Sequence, residues 1–70
     1  MKKWKFGIIG TGLIADFHAL AIQSLPNAEL VGFWGSNLKK TAKLTQKFGC
    51  KSWESYQQML ASDEVEIVII

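Results

Sequence analysis

Seventy residues, 49% hydrophobic and 20% charged, with three Trp, four Phe and one Tyr, make a core-forming chain with room for one small domain or one piece of a larger one. That composition excludes the disordered and low-complexity classes, and the single Cys50 excludes an internal disulfide and a Cys-rich zinc site, so no metal is expected. The net charge of +2 hides an asymmetry: all eight lysines fall in the first 51 residues against Asp16 and Glu29, while the last 19 residues carry four carboxylates and no base. With no Arg anywhere, the residue best suited to bidentate phosphate and guanine contacts, this asymmetry is not read as a nucleic-acid surface.

Lys2, Lys3 and Lys5 followed by the apolar stretch Phe6 to Ala15 imitate a secretory leader. Asp16, Phe17 and His18 contradict it, because they stand where an uncharged approach to the small-x-small triplet Ala19-Leu20-Ala21 is needed. No run reaches the ~18–20 apolar residues of a membrane helix. The expectation is a cytoplasmic protein with no membrane partner.

Taken in chain order, Lys5 to Ile9 is a short Ile-rich run that predicts a buried strand. Leu13, Phe17, Leu20, Ala21 and Ser24 then fall on one helical stripe, stopped by Pro26-Asn27. Glu29 to Trp34 is a second strand, apolar at nearly every position, as expected in a parallel sheet covered on both faces. Leu38, Thr41, Ala42, Thr45 and Phe48 give a second helical stripe, with Lys39, Lys40, Lys43 and Lys47 on its wet side and Gly49 in the C-terminal capping place. Cys50 to Trp53 has room for a brief strand only. Ser55 with Gln58 predicts the capping box of a short helix through Leu60, and Val65 to Ile70 predicts a last strand, central and covered on both faces. This alternation predicts an α/β fold, an open doubly wound parallel sheet of which residues 1–70 are the N-terminal portion; the Rossmann type, with strand order 3-2-1-4, is expected because a glycine motif follows the first strand. Such a portion is expected to be marginally stable and prone to association through its last strand.

The chemistry lies in Gly10-Thr11-Gly12-Leu13-Ile14-Ala15, a G-x-G-x-x-A between the first strand and the first helix. Gly10 permits the tight turn, Gly12 lacks the Cβ that would block a pyrophosphate, and Ala15 lets the helix pack closely on the sheet. The pyrophosphate is then held by free N–H groups around Leu13 and Ile14, where the helix dipole favours negative charge. Glycines alone can merely punctuate a turn. The strand before, the amphipathic helix after and the second strand within ~30 residues are the context that favours a dinucleotide.

With this motif, the run GIIGTGLIADFHALAI, the LVGFW strand, Tyr56-Gln-Gln-Met-Leu60 and Val65-Glu-Ile-Val-Ile-Ile70, the chain resembles the glucose-fructose oxidoreductase / inositol dehydrogenase (Gfo/Idh/MocA) family over essentially its whole length. The resemblance implies an NAD(P)-dependent oxidoreductase with an N-terminal Rossmann domain and a C-terminal α/β domain, acting by hydride transfer on a small-molecule substrate such as a sugar or polyol. It also allows a homo-oligomer formed through the second domain. The family's Glu-Lys-Pro motif and its acid/base Asp and His belong to positions past residue 70, so no catalytic residue is carried over. Two alternatives stay open: a non-catalytic dinucleotide-binding sensor module on the same fold, and a different ligand such as FAD or S-adenosylmethionine.

The carboxylate that holds the adenosine ribose is expected about 20 residues past the glycine motif. Gly35-Ser36-Asn37 contains none, which departs from the family's NAD-type pattern. NADP-favouring members often read Ser-Arg-Ser/Asn there, with Lys or Arg one helical turn later; Asn37 and Lys40 match, Gly35 and Ser36 do not. The Ser36 hydroxyl, the Asn37 amide and Lys40 can surround a 2′-phosphate, with Lys39 and Lys43 as a diffuse positive field, so NADP is slightly favoured over NAD. A solvated lysine face is the alternative. His18, Cys50, Trp4 and Trp53 are assigned to packing, and Trp34 to packing or to the edge of an adenine site.

Overall fold

A computed structural model of the chain describes residues 2–70, Leu13 by its backbone alone. The elements are β1 (Trp4–Ile9), α1 (Leu13–Gln23), β2 (Ala28–Trp34), α2 (Leu38–Phe48), β3 (Lys51–Ser52), α3 (Tyr56–Ala61) and β4 (Ile67–Ile69). All strand pairs are parallel, and the sheet runs β3-β2-β1-β4, the expected order. The helix ends follow their local signals. Asn37 Oδ1 accepts the Lys40 N–H at 3.1 Å, Gly49 closes α2 in the left-handed conformation at φ 66°, and Ser55 Oγ accepts the Gln58 N–H at 3.2 Å. The Gln58 side chain reaches back to the N–H of Glu54 rather than to that of Ser55.

The α1 and α2 side of the sheet holds the main core: Ile8 from β1, Leu30 and Phe33 from β2, Ala15, Ala19 and Ile22 from α1, and Leu44 from α2. Phe33 is fully buried and stacks at a tilt on Phe48, ring centres 5.9 Å apart. Cys50 packs against this cluster as a filler, as expected. The other side is covered by α3, whose Met59 is fully buried; a Cβ placed on Gly7 would lie 3.3 Å from its sulfur. In β2 the register passes from Phe6 opposite Leu30 to Gly7 opposite Gly32, so Val31 is the extra residue of a bulge.

Three expectations are corrected. The buried face of α1 is Ala15, Ala19 and Ile22, whereas Phe17 (69% exposed) and Leu20 (56%) point outward with Ala21 and Ser24. The side chain of Leu13, first in the expected stripe, lies outside the described residues. The cause is size: α1 is apolar on more than one side, and its two small alanines permit a closer approach to the sheet than Phe17 and Leu20 would. On α2 the buried pair is Thr41 and Leu44, with Thr45 and Phe48 half-buried and Leu38 and Ala42 exposed. β4 stands where the expected order puts it and pairs with β1 alone in this sheet, with Ile67 at the surface and Val68 and Ile69 half-buried. Trp53 packs over Gly32 as expected, but Trp4 is 45% exposed and lies under the Lys2 ammonium.

Candidate dinucleotide site

β1 delivers the chain to Gly10, whose φ of +119° is a conformation L side chains rarely adopt. Its N–H donates to the Trp34 carbonyl at 2.7 Å, which ties the glycine turn to the end of β2. Gly12 is the N-cap of α1 and offers no side-chain cap; its carbonyl accepts the Ala15 N–H at 3.0 Å. The N–H groups of Leu13 and Ile14, in the first turn of an 11-residue helix, have no intrahelical acceptor. A Cβ built on Gly12 meets nothing within 4 Å, so the space over the turn is open. Ala15, 2% exposed, lets α1 sit close to the sheet. A positive-φ glycine, an open glycine cradle and free donors at a helix start fit the diphosphate of a dinucleotide.

The second turn lies between β2 and α2. Gly35 is buried: a Cβ there would collide with Thr11 Cγ2 and stand 2.8 Å from Thr41 Oγ1. Ser36, Asn37 and Lys40 are exposed. The Asn37 side chain spends its oxygen on the helix cap, so its amide donors are what it has for a ligand.

A cleft of about 220 Å³ between the glycine turn, α1 and α2 is lined by Thr11, Asp16, Lys40, Lys43, Leu44 and Lys47; Ser36 and Asn37 are not in its lining. Thr11 and Lys40 are thus brought together, with Lys43 beside them; Lys39 is exposed and outside the lining. The sequence reading missed Asp16 and Lys47, which form an ion pair across the cleft at 3.5 Å. It also placed Thr41 on a buried stripe without seeing its contact with Gly35. Trp34 packs edge-on against Tyr56, ring centres 5.4 Å apart. Strand alternation from Phe33 puts Trp34 on the α3 side, opposite Thr11 and Lys40.

A larger hollow of about 420 Å³ lies at the other end of the strands, between Glu29, Leu30, Val31, Gly49, Cys50, Lys51 and Glu64. Its only cation, Lys51, is paired with Glu64, and nucleotides in open α/β sheets bind at the carboxyl ends of strands, so it is not the phosphate site. Among the described residues no three His, Cys, Asp or Glu side chains are grouped to hold a metal ion. No helix among them is long and apolar enough to cross a membrane.

Residues 4–70 match the family described as oxidoreductase family, NAD-binding Rossmann fold. Glucose-6-phosphate 3-dehydrogenase of Bacillus subtilis is 41% identical over 64 residues, which are 91% of this chain and 18% of that protein. Among solved structures, biliverdin reductase of Synechocystis in complex with biliverdin and NADP+ superposes with a TM-score of 0.86 at 33% identity, over 91% of this chain and 20% of that one. The WlbA dehydrogenase of Bordetella pertussis, in complex with NADH and UDP-GlcNAcA, gives 0.90 at 27% identity, over 99% and 20%. The chain thus spans about a fifth of the length of the relatives it matches.

Proposed function

The chain belongs to the Gfo/Idh/MocA oxidoreductase family, with its NAD-binding Rossmann fold, and on that premise we propose that residues 1–70 form the first part of a dinucleotide-binding domain serving an NAD(P)-dependent dehydrogenase. The observation that carries this reading is the open cradle over Gly12 at the start of α1, with a cleft at the neighbouring Thr11 that brings Lys40 to it. In it the N–H groups of Leu13 and Ile14 take the diphosphate, while Ser36, the Asn37 amide donors and Lys40 face the 2′ end of the adenosine ribose. When bound, the cofactor supplies C4 of its nicotinamide as hydride donor or acceptor. The likeness to glucose-6-phosphate 3-dehydrogenase and to a dehydrogenase bound to a UDP-sugar acid supports a sugar, or a related hydroxy compound, as substrate of the whole enzyme.

On the cofactor, the reading is that NADP is accepted at least as well as NAD, because no carboxylate stands at Gly35-Ser36-Asn37 and Lys43 adds a second cation to the cleft. Fluorescence titration of the whole enzyme with NADPH and NADH, at one fixed ionic strength, tests both parts. Binding of neither sinks the dinucleotide site. A preference for NADH of tenfold or more sinks the 2′-phosphate assignment alone. Lys40→Ala is expected to weaken NADPH about fivefold and NADH less than about twofold, the exposed lysine making a charge-assisted bond that solvent attenuates.

A further inference from the structure

Thr41 is 5% exposed, the buried polar side chain among the described residues, and stands one turn into α2 behind the Gly35–Asn37 turn. Its N–H donates to the Asn37 carbonyl at 3.0 Å, as a helix requires, and its hydroxyl donates to the same carbonyl at 2.9 Å. Oγ1 is also 3.4 Å from the Gly35 carbonyl; with a single proton to give, that contact is at best a three-centre share. The hydroxyl therefore adds a second hold on a turn that α2 already grips once.

Gly35 completes the arrangement from the other side. The position its Cβ would take is occupied by Thr41 Oγ1 and by the Thr11 methyl group, and Thr11 belongs to the glycine turn. One interlock, Thr11 on Gly35 on Thr41, thus sets the spacing between the turn that meets the diphosphate and the turn that meets the ribose.

We propose that Thr41 is a positioning residue for the ribose end of the dinucleotide, its hydroxyl holding the Gly35–Asn37 turn against Thr11 so that Ser36 and the Asn37 amide stand at a fixed distance from the phosphate-binding turn. The proposal rests on the dinucleotide reading of these two turns. It assigns no contact between Thr41 and the ligand; the effect passes through the Asn37 carbonyl.

The test uses two probes that touch different turns, 2′,5′-ADP and inorganic pyrophosphate, each titrated into the whole enzyme and into its Thr41→Val, Thr41→Ala and Thr41→Ser variants. Val keeps the shape without the hydroxyl, and Ser keeps the hydroxyl without the methyl. Expected are a loss of about five- to tenfold for 2′,5′-ADP in Val and Ala, the factor that one ordinary hydrogen bond gives, recovery to within about twofold in Ser, and unchanged pyrophosphate affinity throughout. Equal loss for both probes, wild-type affinity in Val and Ala, or a Ser variant as weak as Val overturns the proposal. Failure of both Val and Ala to keep the native circular dichroism spectrum also overturns it, because the hydroxyl would then serve the fold at large. If the unmodified enzyme binds neither probe, the dinucleotide reading itself has failed, an outcome distinct from the others.

Discussion

The Gly10 N–H donates to the Trp34 carbonyl across 2.7 Å, so the turn that follows β1 and the turn that follows β2 are parts of one rigid edge. Two positions further on, Gly12 has an ordinary φ of −75° and nothing within 4 Å of its missing Cβ. The two glycines therefore differ in kind. Gly10 is required by the backbone, while Gly12 is required by nothing in the fold and is explained by the room it leaves.

It follows that Gly12→Val removes dinucleotide binding and keeps the fold. Valine is a poorer N-cap than glycine, at a cost of about 1 kcal/mol, which lowers the melting midpoint of a domain this size by roughly 4–8 °C. NADPH titration beside a thermal melt checks both halves. Unchanged affinity sinks the cradle, and a lost native spectrum sinks the claim that the fold does not need Gly12.

A carboxylate meant to select NAD belongs at Ser36, not at Gly35. Asp at position 35 would drive its Cβ into Thr11 and Thr41, an overpacking that costs about 1–3 kcal/mol. Ser36 is exposed, so Ser36→Asp places its charge without a clash and is expected to move the NADH to NADPH affinity ratio about tenfold toward NADH, through repulsion of the 2′-phosphate. Affinity ratios for the two variants, with their melting curves, decide the matter.

Acid should loosen the β1–β4 seam first. The side-chain hydrogen bond from Lys2 holds the Glu66 carboxyl below its ordinary value of 4.5, helped by the Lys5 N–H, which donates to Glu66 Oε1 at 3.2 Å; the hydrogen bond from Lys51 does the same for Glu64. A folded-state value below the unfolded one means that the stabilisation is present above about pH 4.5 and is lost as pH falls through the lowered folded value. Amide protection factors of β4 are expected to drop on going from about pH 6 to about pH 3, and Glu66→Gln to flatten that change. Protection that is insensitive to pH in the unmodified chain rules the carboxylate out as the clasp.

Cys50 is expected to be inert. Burial pushes its thiol up to about 11, so at pH 8 only about one molecule in a thousand carries the thiolate. Iodoacetamide at that pH should modify the folded chain at least about tenfold more slowly than the chain in denaturant. Equal rates would mean that the hollow beside Gly49 opens freely.

The legible parts of this molecule were those written within a few residues of each other. Gly10 and Gly12 between a strand and a helix, Ser55 with Gln58 and Gly49 after the lysine-rich helix each carry their meaning locally, and the doubly wound α/β class follows from the alternation they punctuate. The face of α1 was not legible, because apolar residues lie on several sides and only contact with the sheet chooses the small ones. Thr41 with Gly35 was hidden for a related reason: a threonine on an apolar stripe looks like a tolerated substitute until the glycine beneath it is seen to lack the atom that would displace it. The Asp16–Lys47 pair spans two helices and leaves no mark in local spacing.

The bulge at Val31 governs the phase of β2. In an unbroken pleat Leu30 and Phe33 would point to opposite sides of the sheet; one extra residue between them lets both enter the same core, with Ala28 before and Gly35 after in step. Gly32 and Trp34 are thereby sent to the α3 side, where they meet Trp53 and Tyr56. A chain one residue shorter here would deliver its second turn half a pleat out of step, so that Thr11 would face a different neighbour and the glycine turn and the Gly35–Asn37 turn would no longer mesh. Sequence length between residues 28 and 35 is therefore a constraint as strict as any side chain in the site.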